Sequence, residues 1–405
     1  MQMKFRTSLT LVAAAALLVA CGKKEEPAPV AAAPAPAAAP SAPAPAPVSN
    51  VIKIGHVGPT SGAIAHLGKD NENGARMAIE ELNAKGITIG GQKMTIELLP
   101  EDDAGDPKQG TSVATKLVDA KVNGVIGHLN SGTTIPASQI YKDAGIPQIS
   151  PSATNPKYTR QGFPTTFRVV ADDVHLGSTL GKYAVTTLKG KSIGVIDDRT
   201  AYGQGVAEEF KKAVEAAGGK VAGHEFTTDK ATDFNAILTT LKGKKVDVVF
   251  FGGMDAVAGP MIKQMAQLGI KAKFMGGDGI CSSELPKLAG TAMKDDMVYC
   301  AEAGGVEGEA KAGMDKFRTD FKAKFNADVQ VYAPYVYDAV NVMVAAMVKA
   351  DSADPAKYLP ELAKTTDYKG VTGTISFDEK GDIKNGALTL MTYKGGKRTE
   401  LAVIR

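Results

Sequence analysis

Two short apolar runs, each followed by small hydroxyl-bearing residues, constrain this chain more than any other feature. The first run covers 125–129 and precedes a helix-like segment that begins near Pro136, and the second covers 146–149. In a parallel α/β sheet the ends of such strands lie side by side, at the edge where these folds bind ligands. Hydroxyls, free backbone N–H groups and a helix N-terminus together form a seat for an anion such as a carboxylate. The alternative is that the serines and threonines serve only as helix caps.

Strand-like and helix-like segments alternate along nearly the whole chain after residue 50. This alternation predicts an α/β fold in which helices cover both faces of parallel sheets. The predicted strands are 51–55, 94–99, 125–129, 146–149, 166–170, 192–197, 220–226, 246–251, 273–275, 297–300, 373–377, 387–394 and 401–404. The predicted helices are 71–84, 106–121, 136 onwards, 176–188, 206–217, 234–242, a segment ending at 268, 284–289, 311–325, 334–350 and 356–364.

The pattern is too long for one sheet, and a chain of 405 residues is long enough for two domains. A natural division falls near residue 171, and the helical run after Cys300 lacks a sheet of its own, so it should return to cover the first one. We therefore expect two Rossmann-like, doubly wound lobes joined by a hinge of several strands. The expected lobes are 50–171 plus 304–376, and 172–303 plus 377–405.

The N-terminal segment has the features of an export signal rather than of a folded domain. Residues 1–20 combine a basic start with a short apolar core, as in a secretory signal peptide. The sequence L-V-A-C at 18–21 resembles the lipobox of bacterial lipoproteins, which predicts lipidation of Cys21 and a periplasmic, membrane-anchored protein; otherwise Cys21 is incidental. Residues 21–49 form an Ala/Pro-rich linker, which we expect to act as a semi-extended tether.

The charge balance argues against nucleic acid as a partner. The formal net charge of +3 falls to +1 when the signal peptide is removed, because residues 1–20 contain Lys4 and Arg6 and no acidic residue. No basic excess then remains to follow a phosphate backbone.

Two further cysteines, Cys281 and Cys300, remain in the exported part of the chain. In an oxidising compartment such a pair commonly forms a disulfide. Two free buried thiols are the alternative.

Sequence motifs for metal, nucleotide and nucleophile chemistry are absent or misplaced. The five histidines are scattered without metal-ligand spacing, and no phosphate-binding glycine motif occurs. The segment 190–194 fits the pattern G-x-S-x-G, but Ser192 begins a predicted strand rather than following one. We therefore expect neither an enzyme nor a metal or other cofactor. The histidines are His56, His66, His128, His175 and His224.

The loops at the predicted strand ends carry opposite chemical preferences. Ser131, Ser152 and Thr154 favour a negative group, whereas Asp278 offers a negative charge to a cation. An alternative role for Asp278 is a helix cap, although Ser282 lies closer to the next helix. A carboxylate seat, an opposing acid and apolar walls suit an α-amino acid with an uncharged side chain. For Tyr202 and Tyr332, ordinary interdomain packing is the alternative. The candidate wall residues are Leu67, Leu129, Tyr202, Met254 and Tyr332.

From Val51 to the C-terminus the chain resembles the leucine/isoleucine/valine-binding proteins of bacterial ABC importers, which have the type I periplasmic binding protein fold. The resemblance rests on G-P-T-S-G (58–62), D-D-A-G-D-P-K-Q (102–109), I-G-H-L-N-S (126–131), P-A-S-Q-I-Y (136–141), S-P-S-A-T (150–154), A-Y-G-Q-G (201–205), F-M-G-G-D-G (274–279) and D-E-K-G-D (378–382).

The resemblance implies a role for each candidate residue. Ser131, Ser152 and Thr154, with Ala153 in the same segment, would hold the ligand carboxylate, and Thr154 and Asp278 would hold the ammonium group. The side-chain pocket would be formed by Leu67, Tyr202, Met254 and Tyr332.

The sequence departs from the pattern of the family at the pocket. The family usually has Glu at the position of Asp278, and Tyr at those of Leu67 and Met254, which implies a roomier site here. The family's disulfide near the pocket is absent, with Ala104 and Asn130 in its place.

The sequence therefore predicts the substrate-binding component of an ABC importer for a branched-chain or other neutral amino acid. Its expected partners are the free amino acid, the permease and ATPase subunits of the importer, and the membrane through the lipid anchor, with the protein itself a monomer. The alternatives are a receptor for an aromatic amino acid, a short amide or an aromatic acid, and a signalling receptor that reports the closed state.

Overall fold

The computed structural model describes residues 50–405. The predicted signal peptide, the predicted lipidation site Cys21 and the predicted linker lie outside the described residues. Across the described part, no helix combines the length and the apolar character needed to cross a membrane.

Fifteen strands and eleven helices make up residues 50–405. The strands are β1 (Val51–Gly58), β2 (Ile87–Ile89), β3 (Gln92–Asp102), β4 (Gly124–Gly127), β5 (Gln148–Ser150), β6 (Thr166–Arg168), β7 (Ile193–Asp197), β8 (Val221–Phe226), β9 (Val248–Gly252), β10 (Lys273–Gly276), β11 (Val298–Glu302), β12 (Tyr368–Gly370), β13 (Gly373–Ile375), β14 (Leu388–Lys394) and β15 (Lys397–Ile404). The helices are α1 (Ala65–Lys85), α2 (Pro107–Asp119), α3 (Ser131–Asp143), α4 (Asp173–Thr186), α5 (Ala201–Ala216), α6 (Asn235–Gly243), α7 (Asp255–Gln267), α8 (Leu285–Ala289), α9 (Ala310–Phe325), α10 (Ala333–Lys349) and α11 (Pro355–Ala363).

The first lobe is built on a six-stranded sheet in the order β2-β3-β1-β4-β5-β6, parallel except for the β2–β3 hairpin. On the central strand, Ile52 and Ile54 belong to the core on one face, together with residues of α1 and α10. Val57 belongs to the core on the other face, with residues of α2 and α3. Burial on both faces explains why the inner strands consist of nearly continuous apolar runs.

The second lobe is built on a seven-stranded sheet in the order β15-β14-β11-β10-β9-β7-β8. The strands from β8 to β11 are parallel, and β14 and β15 add an antiparallel edge. Every residue of β9 is buried. The helices α4 to α8 pack around this sheet, whereas α9 to α11 pack against the first lobe.

Three segments connect the lobes, after β6, after β11 and after β13. They lie against one another: Ala171 donates its N–H to the carbonyl of Ala303 at 3.0 Å, and Arg168 donates its N–H to that of Gly381 at 2.9 Å. The buried guanidinium of Arg168 also pairs with Asp382 at 2.5 Å. The result is a compact hinge made of several chain segments, as expected for discontinuous lobes.

Three helices begin about five or more residues earlier than the sequence predicted. The helix α1 begins at Ala65 rather than at 71, and α3 begins at Ser131 rather than near Pro136, which lies inside it. The helix α5 begins at Ala201 rather than at 206, because the Thr200 hydroxyl accepts the N–H of Gly203 at 2.9 Å and caps it. The earlier starts place Ser131 in the first turn of a helix.

A disulfide joins Cys281 to Cys300, so of the two alternatives for this pair the structure contains the bridge. Both cysteines are fully buried. Cys281 directly follows the short 3-10 turn Asp278–Ile280, and Cys300 lies within β11. The bridge therefore ties the loop that carries Asp278 to the second sheet.

We expect replacement of both cysteines by alanine to lower the free energy of unfolding by about 3 kcal/mol, because the unfolded chain loses the constraint of a short closed loop. Urea unfolding followed by circular dichroism measures this difference. Reductant should lower the unfolding midpoint of the unmodified protein and leave that of the double variant unchanged. Equal midpoints for the two proteins under oxidising conditions would contradict the assignment.

Candidate functional site

The carboxyl ends of β4 and β5 meet at the start of α3, where the sequence placed an anion seat. Ser131 is the first residue of α3 and is almost completely buried. Its hydroxyl oxygen accepts the N–H of Asn155 at 3.2 Å, and the hydroxyl proton has no acceptor among the described residues. Because the first N–H groups of a helix also lack intrahelical acceptors, this end of α3 favours a negative group.

The loop after β5 is fixed by hydrogen bonds that the sequence did not reveal. Ser150 accepts the N–H of Ala153 at 2.9 Å and donates to the carbonyl of His128 at 3.0 Å. The ring of His128 lies 3.0 Å from both Asp103 and the hydroxyl of Tyr141. The Ser152 hydroxyl donates to the carbonyl of Leu129 at 3.1 Å. The two hydroxyl-bearing loops are thus tied together, and their backbone groups are held in place.

Thr154 lies beside an acid that the sequence analysis did not single out. Asp173 is fully buried at the start of α4, and its N–H donates to the carbonyl of Thr154 at 2.8 Å. The Thr154 hydroxyl lies near the Asp173 carboxylate, and these buried polar atoms have no partner within hydrogen-bond distance among the described residues. Burial raises the pKa of Asp173 well above its usual value; the Thr154 hydroxyl lowers it, and the nearby Asp278 raises it further. The sequence signal at Asp173 was only that of a helix start.

Asp278 is the acidic residue that the second lobe contributes to the cavity between the lobes. Tyr202 donates its hydroxyl to Oδ1 of Asp278 at 2.8 Å, and Tyr332 donates its hydroxyl to Oδ2 at 2.9 Å. Tyr202 belongs to α5 of the same lobe, whereas Tyr332 precedes α10 of the first lobe. The lobes are therefore in contact, and the conformation is closed around this carboxylate.

Burial raises the pKa of Asp278 to about 6, and the hydrogen bonds from Tyr202 and Tyr332 act in the opposite direction. The helix-cap alternative does not hold, because the N–H of Leu285 is accepted by the hydroxyl of Ser282 at 3.1 Å. Asp278 is thus a buried acid that lies close to a second buried acid, Asp173, and the negative charge of each disfavours that of the other.

Tyr332 is positioned by Asp70, a residue of α1 that the sequence analysis also missed. The Asp70 carboxylate accepts four backbone N–H groups, those of residues 330–333, at 2.9–3.2 Å. Asp70 is 3% exposed, and burial raises its pKa, against the lowering effect of these four bonds. A cap supplied by another helix leaves no signal in local sequence.

Most of the predicted site residues surround one small cavity between the lobes. Leu67 packs against Leu129 and Tyr332 in the adjoining apolar cluster, which also contains Val331, with Met254 against it. Ala153 and Thr154 do not line the cavity, and Thr154 instead faces Asp173. The lining residues are Leu129, Asn130, Ser131, Ser152, Tyr202, Met254, Asp278 and Tyr332.

A second, larger cavity adjoins the first and shares Asn130, Tyr202 and Met254 with it. Ala104 and Asn130, which occupy the disulfide positions of the resembled family, both line this outer cavity.

Comparison with known proteins agrees with this architecture. The family model described as periplasmic binding protein matches residues 51–398. The chain belongs to this family. The resemblance inferred from the sequence and the predicted fold are thereby confirmed, and membership makes the chain a binding protein for transport rather than an enzyme.

This binding protein is similar to several named proteins and to solved structures. It is 38% identical to a leucine-, isoleucine-, valine-, threonine- and alanine-binding protein of Pseudomonas aeruginosa over 354 residues, 87% of this chain and 93% of that protein. It is 40% identical to Leu/Ile/Val-binding protein homolog 1 of Brucella abortus over 338 residues, 84% of this chain and 89% of that protein. A branched-chain amino acid binding protein of Streptococcus pneumoniae, solved with isoleucine, matches with a TM-score of 0.78 and 31% identity, covering 87% of this chain and 99% of that one.

The contacts of Asp70 lead to a prediction about stability. We expect Asp70→Ala to lower the free energy of unfolding by at least about 2 kcal/mol, because buried N–H groups ahead of α10 would lose their acceptor. Chemical unfolding measures the loss, and Asp106→Ala is the control, since Asp106 caps α2 by the same chemistry at an exposed position. The control variant should lose less. An Asp70 variant as stable as the parent would show that this contact does not fix Tyr332.

Proposed function

We propose that this protein is the substrate-binding component of an ABC importer that captures a free branched-chain or other neutral amino acid. The ligand would lie between the lobes, with its carboxylate on the first and its ammonium group against Asp278 on the second. Closure of the hinge would retain the ligand, and the closed form would deliver it to a permease.

This proposal rests on one observation: the two sides of the cleft suit ligand groups of opposite charge. Ser131 presents a free hydroxyl proton at the start of α3, which suits a carboxylate. On the other side, Asp278 is 1% exposed and has hydroxyl partners but no cationic one among the described residues. A buried carboxylate is stabilised by a cation. The ammonium and carboxylate of an α-amino acid supply both missing charges.

Thr154 and Asp173 support a second contact for the ammonium group. The buried Thr154 hydroxyl and both oxygens of the Asp173 carboxylate have no hydrogen-bond partner among the described residues. Asp173 also acts electrostatically on Tyr202 and is affected by Asp278, so the two acids face the same region. A cation in that region would reduce the repulsion between them.

The apolar part of the cleft favours an aliphatic side chain. Leu67, Leu129 and Val331 form a buried cluster with Tyr332, and Met254 packs against it. Among the described residues that line the inner cavity, Asp278 is the only charged one. The relatives are named for binding leucine, isoleucine and valine, and one was solved with isoleucine, which agrees with this preference.

The cellular location, the membrane anchor and the lobe boundaries are part of the same proposal. We assign residues 1–20 as a lipoprotein signal, Cys21 as the lipidated residue and residues 21–49 as a tether, so that a monomeric receptor works at the periplasmic face of a membrane beside its permease and ATPase. The lobes would be 50–171 plus 304–376, and 172–303 plus 377–405. Mass spectrometry of the mature N-terminus tests the anchor, and an unmodified Cys21 would contradict it.

Removal of the charge at Asp278 should weaken binding of leucine by about 3–5 kcal/mol, because the ammonium group would lose its buried partner. Isothermal titration of Asp278→Asn with leucine measures the change. Asp338→Asn is the matched control, since Asp338 is equally buried, its pKa is likewise raised to about 6, and it bonds to Thr372 away from the cleft.

A thermal-shift screen of the amino acids beside benzoate and short amides tests the ligand class. An acid without an ammonium group would leave Asp278 charged and unpaired, so benzoate should not stabilise the protein. Stabilisation by benzoate and by no amino acid, or unchanged leucine affinity in Asp278→Asn, would overturn the proposal.

Leucine affinity should fall as the pH drops below about 6. The raised pKa of Asp278 means that the carboxyl is ionised at pH 7 and becomes protonated near pH 6, whereas the ligand stays an ammonium ion throughout. Titration between pH 5 and pH 7 measures the effect. The Asp278→Asn variant should lose this dependence and Asp338→Asn should keep it; an acid-side slope that survives in Asp278→Asn would assign it to another group.

A further inference from the structure

An ion pair joins the two lobes beside the candidate site. His66 is the second residue of α1 in the first lobe, and Asp255 is the first residue of α7 in the second. Nε2 of His66 lies 2.7 Å from Oδ2 of Asp255, and the side chain of His66 is 22% exposed while that of Asp255 is fully buried. Because the partners belong to different lobes, this contact forms only when the cleft is closed.

The acidic partner is held in place independently of the histidine. The hydroxyl of Ser282 donates to the same oxygen of Asp255, and Ser282 in turn accepts the N–H of Leu285 at 3.1 Å. The other oxygen, Oδ1 of Asp255, is buried and has no hydrogen-bond partner among the described residues. His66 therefore supplies a positive charge to a fixed, desolvated carboxylate when it is protonated.

The surroundings of His66 in the closed form are acidic. Asp255 faces it from α7, Glu284 from the segment before α8, and Asp70 from its own helix. Lys287 is paired with Glu284 at 2.7 Å and partly offsets that charge. Burial lowers the pKa of His66, but the hydrogen bond and charge of Asp255, with the charges of Glu284 and Asp70, raise it above the ordinary value.

Closing and protonation are thereby linked. An open cleft separates His66 from Asp255, and the pKa of an exposed histidine is near 6.5. Since the pKa is higher in the closed form, closure takes up protons in this range, and its stabilisation is fully present below the open-state pKa. That stabilisation is lost as the pH rises through the closed-state value.

The pair also lies close enough to the ligand cleft to affect capture. Leu67 follows His66 and Met254 precedes Asp255, and the two apolar side chains belong to the cluster that adjoins the inner cavity. A shift of either charged residue would therefore move a wall of the cleft.

We propose that His66 and Asp255 form a proton-operated latch, so that ligand capture by this protein is coupled to proton uptake at His66. The proposal rests on the closure around a solute given above. It predicts tighter capture at mildly acidic pH than at alkaline pH, with an upper slope due to His66 and a lower, opposite slope due to Asp278.

The test is isothermal titration of leucine at pH 6.5, 7.5 and 8.5, in two buffers of different ionisation enthalpy. In the unmodified protein, affinity should rise several-fold from pH 8.5 to pH 6.5, because the closed form is stabilised only while His66 is protonated. The dependence of the heat on the buffer should show net proton uptake. His66→Gln should bind leucine with nearly the same affinity at all three pH values and take up fewer protons.

A second histidine provides the matched control. His224 lies 2.7 Å from Asp197 in the same ion-pair geometry, but both belong to the second sheet and do not cross the cleft. His224→Gln should therefore keep the pH dependence of the unmodified protein. If His66→Gln showed the same pH dependence as the unmodified protein, the latch would be wrong. The absence of proton uptake on leucine binding by the unmodified protein would also contradict the latch, and that measurement needs no variant.

Small-angle scattering without any solute separates failure of the latch from failure of the proposed function. The unmodified protein should shift toward the more compact form from pH 8.5 to pH 6.5, and His66→Gln should shift less. If no amino acid binds but this shift is seen, the proposed ligand is wrong and the latch stands. If leucine binds but neither affinity nor compaction follows pH through His66, the latch is wrong and the proposed function stands.

Discussion

The structure depends on one buried carboxylate, that of Asp278, and on the hydroxyls that approach it from both lobes. Burial of an acid is costly unless it is hydrogen-bonded or paired with a cation. Tyr202 meets it from its own lobe and Tyr332 from the opposite one. Closure of the hinge therefore completes the surroundings of this acid, and a ligand with an ammonium group would neutralise its charge. The disulfide from Cys281 to β11 and the Asp70 contacts ahead of α10 fix the two sides of this arrangement.

In the proposed function, the first lobe would bind the opposite charge of the ligand at the start of α3. Ser150 and His128 lock the loops after β4 and β5 against each other, so the backbone at the start of α3 is set before any ligand arrives. Preorganised donors are effective because they do not have to be reoriented on binding. Closure then excludes water, which strengthens every charged contact inside the cleft. The same closed form brings His66 to Asp255, so the ligand site and the latch respond to one motion.

The sequence predicted those features that depend on local pattern. The apolar runs of β1 and β9 and the Asp106–Pro107 start of α2 all have local signals, and each was found where expected. Strand-end clusters placed Ser131 and Ser152 together because the parallel strands β4 and β5 end at a common edge of the first sheet. Asp278 follows β10 of the second sheet and meets them across the cleft. The start of α3 was misplaced because Pro136 was taken as a helix start, although α3 accommodates it internally.

Residues defined by tertiary contact left no such signal. Asp70 caps a helix that begins far along the chain, Asp173 resembles any acid in a first turn, and His66 was one of five scattered histidines. Their chemistry comes from partners that only the fold supplies, and the same holds for the buried Ser150 and His128 contacts.

A crystal structure of the protein grown with leucine tests the central claim most directly. We expect the leucine carboxylate to lie within hydrogen-bond distance of Ser131 and the start of α3. We expect its ammonium group to lie against Asp278 on the opposite lobe. A closed cleft with Asp278 turned away from the ligand, and no carboxylate at Ser131 or Thr154, would contradict it.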